Sequence, residues 1–324
     1  MSDRAGGARQ PAPGHITQPT IGSVAVADLS AALGVAVWLA LTAAGELDAI
    51  ERALALAPLV LVPLALRTAV TGTFEGAARR YTTTAIWLQP VGALLLAASL
   101  VVQSPAPLAA GLATPWLAVT GLLGLVALAR TRTRQTLTLP ETAIDAGLAY
   151  VSVGAVALLL AHLDLTLWFD RVIIRLTAVH FHYAGFVLPV AAGLTGRHLA
   201  VHSRGFRTVV GVILVGPALI AVGIAFSPLV EVVAVSFFTA AVAAFGAVVL
   251  RRVVPTCPRP QGLLLGIAAV ALPISMALAL GYGISTFTGR SLGLTISTMI
   301  ALHGSLNAFG FGLCATLGWR LSVS

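Results

Sequence analysis

Residues 208–226 read Thr208-Val-Val-Gly-Val-Ile-Leu-Val-Gly-Pro-Ala-Leu-Ile-Ala-Val-Gly-Ile-Ala-Phe226, with no charged side chain, Arg204 and Arg207 just before and Ser227-Pro228 just after. A helix of about 20 residues spans a hydrocarbon core about 30 Å thick. In lipid every backbone N–H and C=O needs a partner, and a helix supplies them within one segment. A barrel strand would alternate polar and apolar positions, which this run does not. It reads as a membrane-spanning helix.

Nine further runs of the same kind surround it. The apolar stretches are Val24–Ala44, Ala53–Val70, Thr84–Val102, Pro107–Ala129, Ala143–Leu163, Val172–Thr195, Thr208–Phe226, Leu229–Leu250, Gly262–Phe287 and Ser291–Leu317. The second is short and holds Pro58 and Pro63, so a tilt or kink is expected there. Composition agrees: the 324 residues are 58% hydrophobic and 9% charged, with mean hydropathy +0.98. A soluble domain carries about 25% charged residues. The fold class is all-α, a polytopic bundle of about ten transmembrane helices.

All 19 basic residues are arginine, and they fall in alternate gaps. Arg4, Arg9, Arg67, Arg79, Arg80, Arg130, Arg132, Arg134, Arg197, Arg204, Arg207, Arg251, Arg252, Arg259 and Arg320 share one side; Arg52, Arg171, Arg175 and Arg290 take the other. Basic loop residues stay in the cytoplasm, so both termini are expected there, in a cell-membrane protein. The net charge of +8 belongs to this topology and to anionic headgroups. No basic cluster is interleaved with aromatics, so the lipid bilayer is the expected partner and nucleic acid is not.

Residues 1–23 are rich in Gly, Pro and Ala and read as a disordered cytoplasmic tail, residues 24–317 as the bundle, and 318–324 as a short cytoplasmic tail. The first segment lacks the apolar core of a signal peptide. Trp87, Trp168 and Trp319 fall near segment ends, where interfacial anchoring is the simple reading. Cys257 and Cys314 differ in depth, so no disulfide is expected.

Polar side chains within the membrane are functional candidates by default. The densest group is Thr177-Ala-Val-His180-Phe-His182-Tyr183-Ala-Gly-Phe186. Two residues apart on a helix is about 200° of rotation, so His180 and His182 face different neighbours. On a regular helix His180 shares a face with Thr177, Ala184, Ala191 and Thr195, and His182 with Arg175, Phe186 and Gly193. The last segment adds His303-Gly-Ser-Leu-Asn307-Ala-Phe-Gly310, whose spacing puts His303, Asn307, Gly310 and Cys314 on one stripe. His180, His182 and His303 stand at similar depth. His180, His303 and Asn307 are expected in one cavity, with His182 turned to a second neighbour.

Several other groups have plainer readings. Glu141 and Asp145 read as helix-start acids with Arg130–Arg134 as counter-charges. Glu231 also starts a helix, yet a membrane carboxylate is what proton coupling needs. His198 and His202 share a helix face, but the flanking Arg197 and Arg204 would repel a metal cation. His162, Asp164 and Asp170 read as solvated loop residues. No Walker-type phosphate loop is present.

The strings Arg175-Leu-Thr-Ala-Val-His-Phe-His-Tyr-Ala-Gly-Phe186 and Leu302-His-Gly-Ser-Leu-Asn-Ala-Phe-Gly-Phe311 resemble the two signature segments of the YndJ-like membrane protein family. The hydropathy layout is similar to that family's from about residue 25 to the end. The resemblance implies that His180, His182, His303 and Asn307 matter; members are sometimes labelled transporters. A shorter likeness joins Val179-His-Phe-His-Tyr183 to the haem-ligand segment of haem-copper oxidase subunit I, but the copper-site segment and adjacent histidine pair of that family are missing here.

The leading functional expectation is a transporter or permease for a small solute. Its binding residues are His180, His182, Tyr183, His303 and Asn307, Glu231 is the coupling carboxylate, and it has no cofactor. The alternative is a metal- or haem-binding protein, with a redox role, that uses His180, His182 and His303 as ligands.

Overall fold

The computed structural model describes residues 18–70, 74–102 and 107–323. Among them, ten helices are long and apolar enough to cross a membrane: α1 (Val26–Ala43), α2 (Ala49–Ala69), α3 (Gly76–Val101), α4 (Pro107–Thr133), α5 (Leu139–His162), α6 (Arg171–Leu199), α7 (Arg204–Phe226), α8 (Pro228–Thr256), α9 (Arg259–Thr288) and α10 (Ile296–Arg320). The described sheet is one antiparallel hairpin, β1 (Thr20–Ile21) with β2 (Val24–Ala25). Several helices outrun their apolar stretch at the arginine-bearing end, α3 by starting at Gly76 and α8 by ending at Thr256. A helix needs only its own backbone partners to continue past the hydrocarbon, and arginine stems cover apolar surface while their heads reach water.

Consecutive helices pack as neighbours from α3 to α6 and from α7 to α10, while α2 touches α1, α3, α6 and α10. The expected kink in α2 takes an unexpected form. It is the most deeply buried of the ten spans, and residues Ala57–Leu61 form a π-helical turn. The Val62 N–H reaches back to the Ala57 carbonyl, and Pro63 has no N–H to give. The Pro58 carbonyl is satisfied instead by Gln89 Nε2 of α3 at 2.7 Å, and Ser30 of α1 donates to Gln89 Oε1 at 2.5 Å.

The structured chain also extends further at both ends than 24–317. Arg4, Arg9 and the rest of residues 1–17 lie outside the described residues. From Gln18 onward the chain is tied to the end of α2, with Gln18 Nε2 donating to the Arg67 carbonyl at 3.0 Å. At the other end α10 continues to Arg320, whose guanidinium forks onto both Asp28 oxygens at 2.7 and 2.8 Å. Trp319 is buried against the His198 ring, 5.9 Å between centroids, so it is no interfacial anchor. The Arg320–Asp28 fork holds the end of α10 at the start of α1, so both lie at the same end of the bundle, as an even number of spans requires. Helix order then puts the described arginines of the larger group at one end of the bundle and Arg52, Arg171, Arg175 and Arg290 at the other. Both cysteines are free.

π-Helical turns recur at Tyr183–Val187 in α6, Val249–Val253 in α8, and Met299–His303 and Leu306–Leu313 in α10. Those of α2, α6 and α10 meet at the bundle centre. A methyl group on Gly312 would stand 2.8 Å from Tyr183 Cε1 and 3.1 Å from Leu61 Cδ1, so only glycine lets these three segments approach so closely.

Candidate solute-binding site

The π turn of α6 begins one residue after His182, and the first π turn of α10 ends on His303. Each such turn inserts a residue relative to regular α-helix and rotates everything beyond it. The face drawn from His180 through Ala184 to Ala191 and Thr195 is therefore broken. Ala191 and Thr195 instead line a small apolar cavity against α8–α10, walled by Phe245, Phe311 and Trp319.

His180 lies at the arginine-poor half of α6 and is exposed, although it sits well inside the span. Its ring stands 6.1 Å from that of His303, tilted by 30°. Nδ1 of His180 is 2.7 Å from the Leu176 carbonyl. A carbonyl only accepts, so Nδ1 carries the proton. His303 Nδ1 lies 2.9 Å from the carbonyl of Ser275 on α9, which fixes its proton in the same way. Ser275 Oγ is 2.9 Å from that nitrogen and 3.2 Å from the His303 carbonyl. His303 Nε2 is left to accept, and Asn307 Nδ2 donates to it at 3.0 Å. The structure thus brings His180, His303 and Asn307 together with Ser275, a fully buried side chain that sequence reasoning missed. Its only sequence signal is a hydroxyl two residues after Pro273 in an apolar span.

His182 and Tyr183 face elsewhere. His182 is fully buried between α4 and α5. Nδ1 donates to the Ala178 carbonyl at 2.7 Å, and Nε2 accepts from Trp116 Nε1 at 3.0 Å. Both nitrogens are spent, and the ring fills the space of an absent side chain: a methyl on Gly154 would lie 2.6 Å from Nδ1. Trp116 was also missed; it lies in the interior of α4, away from the interfacial belts where tryptophan concentrates. The Tyr183 hydroxyl donates to the Ala53 carbonyl of α2 at 2.8 Å. Both residues hold helices together.

A haem or metal bound by His180, His182 and His303 would have to take the Trp116 partner from His182 and the Asn307 partner from His303. Among the described residues no group of three or more His, Cys, Asp or Glu side chains is arranged to hold a metal ion. His198 and His202 do not share a helix face, because α6 ends at Leu199 and Ala200 takes φ 56°. They bond separately, to Thr256 Oγ1 and to the Gly196 carbonyl, each at 2.8 Å.

Glu231 stands in the first turn of α8, where Ser227 Oγ accepts the Val230 N–H. Its side chain is half-buried and forms no hydrogen bond or ion pair among the described residues. Thr239 of α8 bonds the carbonyl of Met276, next to Ser275. Glu231 is eight residues from it, about 12 Å along the helix, so it lies outside the histidine site. His162, expected in solvent, is instead buried, with Nε2 3.0 Å from Ser99 Oγ.

The arginine-rich end holds a second polar centre. Arg130, buried at 1% exposure, pairs with both Glu141 and Asp145 and lies over the Phe74 ring at 3.9 Å. Arg134 also pairs with Asp145. Arg197 grips Glu141 with two bonds of 2.7 and 2.8 Å and donates to the Ala69 carbonyl at 2.8 Å. These acids tie α4, α5 and α6 together; the expected helix-start role accounts for their position but not for Arg197.

Relatives bear on the same residues. The family model of the YndJ-like protein matches residues 52–311, which contain both histidine segments. The uncharacterized membrane protein YndJ of Bacillus subtilis (strain 168) is 34% identical over 234 residues, covering 72% of this chain and 41% of that protein. The chain therefore spans less than half the length of this relative. No solved structure matches it. With ten candidate spans and a family match over most of its length, the chain is a multi-pass membrane protein that belongs to the YndJ-like family.

Proposed function

We propose that the protein carries a small solute across the membrane, that His180, His303 and Asn307 bind it, and that the arginine-rich end faces the cytoplasm. One observation carries this reading: His180 is exposed well inside a span while its ring faces His303. An imidazole nitrogen left bare in hydrocarbon is costly. A crevice between α6 and α10 that admits water or a polar solute removes that cost. The π turns beside both histidines support the same reading, since such turns concentrate at functional sites. Glu231 remains the coupling carboxylate of this proposal, and Glu231→Gln is expected to abolish uptake driven by a pH gradient.

Cysteine accessibility in intact cells tests it, in a Cys257→Ser, Cys314→Ser background. His180→Cys should react with a membrane-impermeant thiol reagent added outside, as should Arg290→Cys, while Arg79→Cys, Arg132→Cys and Arg204→Cys should not. A protected His180→Cys beside a labelled Arg290→Cys would remove the crevice. Labelling of the other three would reverse the orientation.

A further inference from the structure

The two protons placed above decide what the site offers a solute. With Nδ1 of neutral His180 donating to the Leu176 carbonyl, its Nε2 holds a lone pair, and no described group donates to it. His303 uses Nδ1–H on the Ser275 carbonyl, so the Asn307 amide must turn its NH₂ toward His303 Nε2. That orientation leaves Asn307 Oδ1 as the free end, and no described group donates to it. The two open groups at the site, one on α6 and one on α10, are therefore both acceptors.

Charge at the arginine-poor end favours the same class of ligand. Glu46, Asp48, Glu51, Asp164, Asp170 and Glu231 lie there against Arg52, Arg171, Arg175 and Arg290. Arg175 is shared by two carboxylates, Asp48 at 2.6 Å and Glu51 at 3.3 Å. It precedes His180 by five residues, about 7.5 Å along α6. A rim with excess carboxylate draws in cations and repels anions.

We infer that the site takes a small cation with N–H donors, an ammonium or primary amine, held between His180 Nε2 and Asn307 Oδ1. The inference rests on the carrier reading only for the solute's passage; the binding chemistry stands on the site itself.

Nitrogen NMR of ¹⁵N-histidine-labelled protein in lipid nanodiscs tests it. One unprotonated ring nitrogen, missing in His180→Leu, should shift when methylammonium chloride is added. Tetramethylammonium, which has the charge without the donors, and sodium acetate should leave it in place. An equal response to tetramethylammonium overturns the hydrogen-bonding assignment. A response to acetate, or no response to methylammonium, overturns the cation site. A response to zinc chloride without one to methylammonium would assign the nitrogen to metal binding instead. Flux in proteoliposomes separates the two readings. Methylammonium binding without transport keeps the site and removes the carrier; transport of an anion without methylammonium binding does the reverse.

Discussion

The two halves of α6 obey different rules. From Leu188 to Gly196 every residue is buried, the pattern of a helix enclosed on all sides. From Arg171 to His182 only Ile174, Ala178, Phe181 and His182 are buried, a one-sided stripe packed chiefly on α5 and α2. The π turn at Tyr183–Val187 separates them. The Leu188–Leu199 half carries Arg197 in its last turn, clamped to Glu141. The Arg171–His182 half leaves His180 exposed beside the His303 ring. A single span thus combines a fixed anchor with a lightly held arm, and the candidate site lies on the arm.

Breaking the anchor should have the largest effect. Arg130→Met leaves Glu141 and Asp145 short of a buried counter-charge, and removing one partner of a buried ion pair costs about 3–5 kcal/mol. Denaturant unfolding in detergent should register that loss. A change below about 1 kcal/mol would mean that the network does not hold the three helices together.

The junction between the halves comes next. Trp116→Phe removes the pyrrole ring together with the N–H that satisfies His182 Nε2; a buried acceptor left unpaired costs about 1–3 kcal/mol, and the cavity left at this fully buried site adds to the loss. If unfolding is unchanged, His182 has found another donor and does not fix the hinge.

Contacts on the arm itself should matter less. Burial raises the Asp48 carboxyl, but hydrogen bonds from the Glu51 amide and Arg175 outweigh it and hold the group below its ordinary value. Its contribution is therefore complete above the unfolded value near 3.8 and fades as pH falls through the lower folded value. Asp48→Asn should cost about 0.2–1 kcal/mol at neutral pH and nothing once acid has protonated the wild-type carboxyl. A pH-independent difference would assign the effect to the capping bonds rather than to charge. His180→Leu should change stability least, within about 0.5 kcal/mol, while abolishing the methylammonium response. A large destabilisation there would make the arm as structural as the anchor.

Much of this molecule is legible in its residues. Ten spans follow from the cost of unpaired backbone in lipid, and the helix order keeps the arginine partition. His303 and Asn307, four apart, do meet. Counting at 3.6 residues per turn cannot see a π turn, so the His180 face could not be followed past Tyr183. Nor can it see that Arg197 reaches Glu141 from 56 residues away, or that Asp28 waits 292 residues for Arg320.

Which segments cross the bilayer follows from the order of residues alone, because insertion depends on the transfer cost of each segment taken separately. So does the presence of polar groups at mid-depth. Their use depends on how the helices pack. His180 and His182 are nearly neighbours in the chain, but one ring fits beside Gly154 under the Trp116 N–H and the other faces His303 across a seam. The free valences of an imidazole depend on which carbonyls and N–H groups surround it, and those belong to other helices.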